Sequence, residues 1–272
     1  MKFAICNEIF QPWPIEKGFQ FAAQAGYDAV EIAPFTVSKY VTDISADRRR
    51  EIRKAAADAG VAISGIHWVL AFTEGFHITH PDDGVRARTA DYLVELVRFC
   101  ADLGGTRIIV GSPKQRNLEP GVDHATGWAR ALAAFRPMIR AAESAGVTVC
   151  FEPLAPSETN FINTAKEAIR FVDEIGSRHF RIILDVKAMS SEAKPIPQII
   201  AESASHVAYF HANDRNLKGP GFGDTDFKPI AAALKKIGYE GFVSVEVFNF
   251  DEGPEVIATR SIETLRAAFA VS

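Results

Sequence analysis

Four short runs in the second half of the chain end in the same way, and they restrict the fold more than any other feature. Residues 147–151, Val-Thr-Val-Cys-Phe, are β-branched and apolar, and they run into Glu152 and Pro153. Proline cannot donate to a sheet ladder, so the strand stops about where Glu152 stands. Residues 180–184 end in Asp185, residues 206–210 in His211 and residues 242–245 in Glu246. A charge buried without a partner costs several kcal/mol or more, so each of these groups needs another beside it. Four oxygen or nitrogen donors closing successive strands describe one metal site.

The rest of the chain alternates strand and helix. Residues 3–6, 29–32, 61–66 and 107–110 read as four earlier strands. Helices are expected from about Pro14 to Gly26, from Ser45 as N-cap to Gly60, and over residues 85–103, where Tyr92, Leu96 and Phe99 share a face. Later helices are expected over residues 124–145, 164–175, 196–204 and 227–237, with a last one from about 254. His67 and Trp68 leave strand 3, and a longer loop to Gly84 carries Glu74, His77 and His80. Eight strands and eight helices without a linker-like break point to a (β/α)₈ barrel, a single domain over residues 1–272. Parallel strands covered on both faces account for the continuous apolar runs. A doubly wound sheet would alternate in the same way. The barrel is favoured because polar residues collect at the carboxyl ends of strands all round the chain, where barrel active sites lie.

Composition excludes several classes of function. The net charge of −4 gives no global attraction for nucleic acid or an anionic membrane. No apolar run reaches the roughly 18–20 residues of a membrane span, and no secretory leader is evident. Cys6, Cys100 and Cys150 are widely spaced and read as reduced thiols of a cytoplasmic protein. No G-x-G-x-x-G follows strand 1, and the glycines at 219–223 follow strand 7, where they read as a lid loop.

Two glutamates, one aspartate and one histidine form a hard, oxygen-rich donor set. It suits Mn²⁺, Mg²⁺ or Co²⁺, with Zn²⁺ also compatible. Singly, each has a plainer reading: Glu152 or Glu246 paired with a lysine, and His211 as a hydrogen-bonded core histidine. Their occurrence together at the ends of strands 5 to 8 is what favours the metal, because those ends lie side by side around a barrel mouth.

These residues also carry a resemblance. Glu152-Pro153-Leu154, Glu158-Thr159, Asn163-Thr164, Leu184-Asp185, Phe210-His211 and Val245-Glu246 are similar to the sugar isomerase/epimerase family of xylose isomerase-like TIM barrels. The ketose 3-epimerases of the tagatose/psicose type are the nearest in pattern. The loop over residues 219–227 and the segment over 237–241 resemble that family as well. The resemblance implies a metal that holds two adjacent sugar oxygens and stabilises an enediolate as the proton alpha to the carbonyl leaves. It also implies that Glu152 and Glu246 face each other across the substrate, one taking a proton and the other returning one, with Asp185 and His211 as plain ligands. The substrate would be a small sugar or sugar acid, and because related barrels are often dimers or tetramers, a homo-oligomer is compatible with it.

Further substrate contacts are expected from Glu158, which matches a hydroxyl contact in the family, and from His67 and Trp68 at the exit of strand 3. Arg215, four residues after His211, is a candidate to hold an oxygen. Glu8 and Lys114 are weaker candidates. The family carries Asp-x-x-His after strand 6, but here the stretch is Asp185-Val186-Lys187-Ala188, with Ala188 in the histidine's place. Lys187 is then a candidate cation near the developing oxyanion, one that would suit a substrate bearing a carboxylate or an extra carbonyl. A lyase is the main alternative, because loss of a β-hydroxyl after the same proton abstraction gives an inosose-type dehydratase or a keto-sugar deglycosidase. A zinc endonuclease on this scaffold would need more histidines and a basic groove.

Overall fold

The computed structural model describes residues 1–270. Parallel strands β1 (Lys2–Cys6), β2 (Ala29–Ile32), β3 (Ala62–Ile66), β4 (Arg107–Val110), β5 (Thr148–Phe151), β6 (Phe180–Asp185), β7 (Val207–Ala212) and β8 (Phe242–Val245) pair in order, and β8 returns to β1 to close the barrel. Around it run α1 (Ile15–Ala25), α2 (Ala46–Ala59), α3 (Asp83–Asp102), α4 (His124–Ala145), α5 (Ala165–Asp173), α6 (Val186–Met189), α7 (Ile196–Glu202), α8 (Phe227–Lys236) and α9 (Pro254–Ala270). Among the described residues no helix is long and apolar enough to cross a membrane. The three cysteines are buried and unpaired.

The alternation of side chains along each strand separates two cores. Outward residues such as Val149, Phe151, Ile182, Leu184 and Phe210 join the large core beneath the helices. Inward residues Ile109, Cys150, Ile183 and Tyr209 make a small plug inside the barrel. A strand repeats its face every second residue, so the residues above Cys150, Ile183 and Tyr209 on that inner face are Glu152, Asp185 and His211. Glu246 stands likewise above the buried Ser244. The neighbouring register, in which Asp185 lies opposite His211, brings these side chains to one level.

Local chemistry fixes where the helices start. Ser45 Oγ accepts the Arg48 N–H at 3.2 Å, and Thr164 and Glu167 form a reciprocal capping box. Two starts differ slightly from the sequence expectation. Pro14 is the N-cap of α1 rather than its first helical residue, and α3 begins at Asp83 because Asp82 accepts the N–H groups of Gly84 and Val85. The one-turn helix α6 was not expected from periodicity. It forms because Asp185, besides ending β6, caps it by accepting the Ala188 N–H at 2.7 Å.

One glycine is demanded by close approach. Gly65 on β3 lies opposite Arg107 on β4, and a methyl there would collide with the Arg107 carbonyl. Gly65→Ala must push these strands apart, so it is expected to lower unfolding stability by at least about 2 kcal/mol. Urea unfolding checks this; an unchanged midpoint would mean that the barrel accommodates the methyl.

Candidate metal centre and active site

Glu152, Asp185, His211 and Glu246 are all buried, and one donor atom from each lies within 4.8 Å of all the others. A methyl on Gly111, at the exit of β4, would occupy the place of Glu152 Oε2, so the glycine leaves room for that carboxylate. The cavity over the four donors measures about 510 Å³ and is lined by His67, Trp68, Leu154, Glu158, Lys187 and Phe248 among others.

His211 is held from both sides. Its Nε2 stands 3.1 and 3.2 Å from the two carboxylate oxygens of Glu31, and its Nδ1 faces Glu246 Oε2 at 3.1 Å. Tyr209 donates to Glu31 Oε2 at 2.9 Å. Glu31 therefore accepts a hydrogen bond from the Nε2–H and leaves Nδ1 directed at the cluster, the arrangement by which a carboxylate orients a metal-binding imidazole. Nδ1 and Glu246 Oε2 are close but poorly aligned, and neither has a hydrogen-bond partner although both are buried. Two unsatisfied donor atoms aimed at one point, beside two further carboxylates, fit a hard divalent cation.

The charges here are strongly perturbed. Burial, then the neighbouring Glu246 and Asp185, push Glu152 up to about 8. Burial, then Glu246, raise Asp185 to about 6, although it accepts hydrogen bonds from Asn213 and from the backbone of Ala188. Burial alone would raise Glu246 as well, but His211 and His67 hold it well below the usual carboxylate range. Burial opposes charge on His211, yet Glu246 and Glu31 lift it well above its ordinary value. Without a cation the two glutamates are thus unequal, the carboxyl of Glu152 being pushed up and that of Glu246 held down.

Glu246 has dedicated support. Trp68 donates Nε1–H to its Oε1 at 2.7 Å, and His67 Nδ1 lies 3.4 Å away. His67 Nε2 is in turn 3.0 Å from Glu8 Oε2. His67 is wholly buried at the cavity floor, so its place is behind Glu246, and Trp68 supports the same carboxylate while presenting its ring to the cavity. Cys6, Glu31, His67 and His211 also approach one another closely, but burial, then Glu31, push the Cys6 thiol up to about 12. Cys6 therefore keeps its proton and lies under the site as a neutral side chain.

Other positions come out differently. Lys187 Nζ pairs with Glu158 Oε1 at 2.8 Å and sits 3.8 Å over the Phe248 ring, so these two substrate candidates meet each other. Arg215 is exposed and lines an outer groove of about 520 Å³ that shares Glu158, Lys187 and Phe248; it does not line the cavity over the donors. The sequence reading missed Glu31 and Arg116. Glu31 did leave a signal, a lone carboxylate within an otherwise apolar strand. Arg116 left none, since a loop arginine is normally solvated. Here it is buried, donating to the carbonyls of Glu152 at 2.7 Å and Val110 at 3.1 Å and so tying the ends of β4 and β5 together.

Comparison with known proteins agrees with this fold. A family model described as xylose isomerase-like TIM barrel matches residues 19–268. The chain is 27% identical to the L-ribulose 3-epimerase of Mesorhizobium japonicum, over 86% of its own length and 76% of that protein's. It is 28% identical to the D-psicose 3-epimerase of Ruminiclostridium cellulolyticum, over 83% and 75% respectively. The crystal structure of D-psicose 3-epimerase with D-tagatose from Clostridium cellulolyticum H10 superposes with a TM-score of 0.86 at 22% identity, covering 99% of both chains, a likeness of fold.

A cation at the four donors must displace protons from Glu152, Asp185 and His211, so its affinity should rise as pH increases from about 6 to about 8. Titration calorimetry with Mn²⁺ in buffers of different ionisation enthalpy should show proton release at pH 6.5. Glu31→Gln should weaken Mn²⁺ binding about 10–100-fold while the fold persists. Unchanged affinity would mean that the orientation of His211 does not depend on Glu31.

Proposed function

The chain belongs to the xylose isomerase-like TIM barrel family, and from that premise we propose that it is a metal-dependent isomerase or epimerase acting on a small sugar. The observation that carries the reading is the buried cluster in which one donor atom from each of Glu152, Asp185, His211 and Glu246 lies within 4.8 Å of the others, with Glu152 and Glu246 lining the cavity above it. The names of the relatives, L-ribulose and D-psicose 3-epimerases, support the same class of chemistry.

In this reading Glu152 and Glu246 are the acid–base pair: one takes the proton alpha to the sugar carbonyl, and the other returns one to the opposite face. His211 and His67 keep Glu246 ionised and the Trp68 N–H aims it, which is what a carboxylate with so little exposed surface requires. Arg116 fixes the carbonyl of Glu152 and so the end of the strand that carries it. Glu152, Asp185, His211 and Glu246 would hold the cation, with Mn²⁺ the first choice ahead of Mg²⁺, Co²⁺ or Zn²⁺. When bound, the cation supplies Lewis-acid stabilisation of the oxygen that gains charge as the proton leaves. The apolar walls exclude water, which strengthens these electrostatic interactions.

The test is a panel of ketoses incubated in D₂O with Mn²⁺ and followed by NMR and mass spectrometry. Deuterium in an isomeric product is expected from the wild type, with Glu246→Gln and Glu152→Gln each slower by roughly 10²–10⁴-fold. Product lighter by one water would assign the protein to the lyases, and exchange undiminished in both variants would remove the glutamates from the mechanism. Trp68→Phe keeps a ring but removes the donor to Glu246, so the Glu246 pKa should rise. The acid limb of the kcat/KM profile should then move to higher pH, and an unmoved limb would mean that the indole N–H plays no part in ionising Glu246.

A further inference from the structure

The cavity over the donors changes character along its length. Its floor is polar, with the buried His67, Glu152 and Glu246, whereas the more exposed lining pairs the rings of Trp68, Phe72 and Phe248 with polar residues such as Glu74, Lys114 and Lys187. Phe72 keeps 66% of its surface exposed, the highest value among the large apolar side chains described. It packs edge-on against Phe35 with ring centroids 4.8 Å apart, and lies nearly parallel to Trp68 at 6.4 Å and 19°. Trp68 is in turn 6.0 Å from Phe248, so the three cavity rings make a continuous wall from the acids out to solvent.

This wall is unfavourable as a folding device. Trp68 and Phe72 have φ values of 52° and 60°, the left-handed backbone that bulky side chains avoid. An exposed ring on such backbone contributes little to burial, and outliers of this kind collect at ligand sites. The cavity is also large for a single sugar. Its 510 Å³, at ~30 Å³ per water, gives room for roughly 17 water-sized groups, against about twelve non-hydrogen atoms in a free hexose.

We propose that the outer half is a second subsite, and that the substrate is a sugar conjugate: a sugar at the glutamates carrying a second ring whose flat apolar face lies on Phe72 and Trp68. Aromatic walls take such faces, whether of an aryl group or of the C–H side of a pyranose, and they add little for an isolated sugar held at the polar floor. The assignment deepens the epimerase reading and rests on it for the placement of the first sugar.

Paired probes test it: D-fructose against its 1-anilino-1-deoxy derivative, and methyl against phenyl 3-keto-β-glucoside. Binding to the Mn²⁺-loaded protein is measured by calorimetry and turnover by deuterium exchange. In at least one pair the ring-bearing member should bind about tenfold more tightly. Phe72→Ala should abolish that advantage while leaving the plain member within about twofold, and Phe72→Tyr should retain it. Lack of preference in both pairs, or an equal loss on both members in Phe72→Ala, would overturn the subsite. A dimer in sedimentation that dissociates in Phe72→Ala, with equal loss on both members, would give this face to a second copy and also overturn it. Phe72-dependent binding without any exchange would keep the subsite and reject proton transfer. Equal exchange of both members of each pair would do the reverse.

Discussion

Everything at the mouth of this barrel depends on burying Glu152, Asp185 and Glu246 together around one imidazole. Like charges in a poorly polarisable interior cannot all be ionised unless cations or donors offset them. His211 is the cationic ring among them, with His67 behind Glu246, and Glu31 beneath His211 keeps that ring charged and oriented. The remaining imbalance appears as retained protons on Glu152 and Asp185. A site of this kind is stable either protonated or filled by a cation, and the rigid strand ends hold it ready for the second state.

The division of labour between the two glutamates follows from what stands behind each. Glu246 has Trp68 and His67 at one oxygen and His211 at the other. Glu152 has the open space left by Gly111 and the repulsion of its acidic neighbours. Arg116 is fully buried nearby, but its N–H groups reach the carbonyl of Glu152 rather than its carboxylate. Its charge therefore stabilises the strand end without clamping the side chain. The asymmetry comes from scaffolding, since the two residues are chemically identical.

Most of the fold was legible because the strands are largely apolar and most of them end at or beside a proline, a glycine or a charge. The donor set was legible for the same reason: Glu152 and Glu246 interrupt apolar runs at points where a strand has to stop. Glu31 was harder. It meets His211 and Tyr209 only once the sheet closes, bringing β2 across the interior to β7, residues that lie 180 and 178 apart in sequence. The short helix α6 escaped periodicity because it is a single turn made by one cap. Trp68 was placed at the mouth by its position, but the direction of its indole N–H depends on a left-handed backbone that its residue type argues against.

The departure at Ala188 also takes on a physical meaning. Ala188 is buried, and its N–H is used in the cap on Asp185, so this turn serves to fix a ligand. Lys187 does not fill the space left by the family's histidine. Its ammonium lies over Phe248 and pairs with Glu158, and burial, which would lower its pKa, is outweighed by Asp185 and Glu158. To meet a substrate carboxylate it would first have to leave Glu158, in a partly buried setting where breaking a pair is unfavourable. The pair closes off the wall between the inner cavity and the outer groove as a neutral unit. Phe248, which takes the ammonium on its face, also belongs to the aromatic wall, so the ion pair and the rings form one continuous side of the cavity.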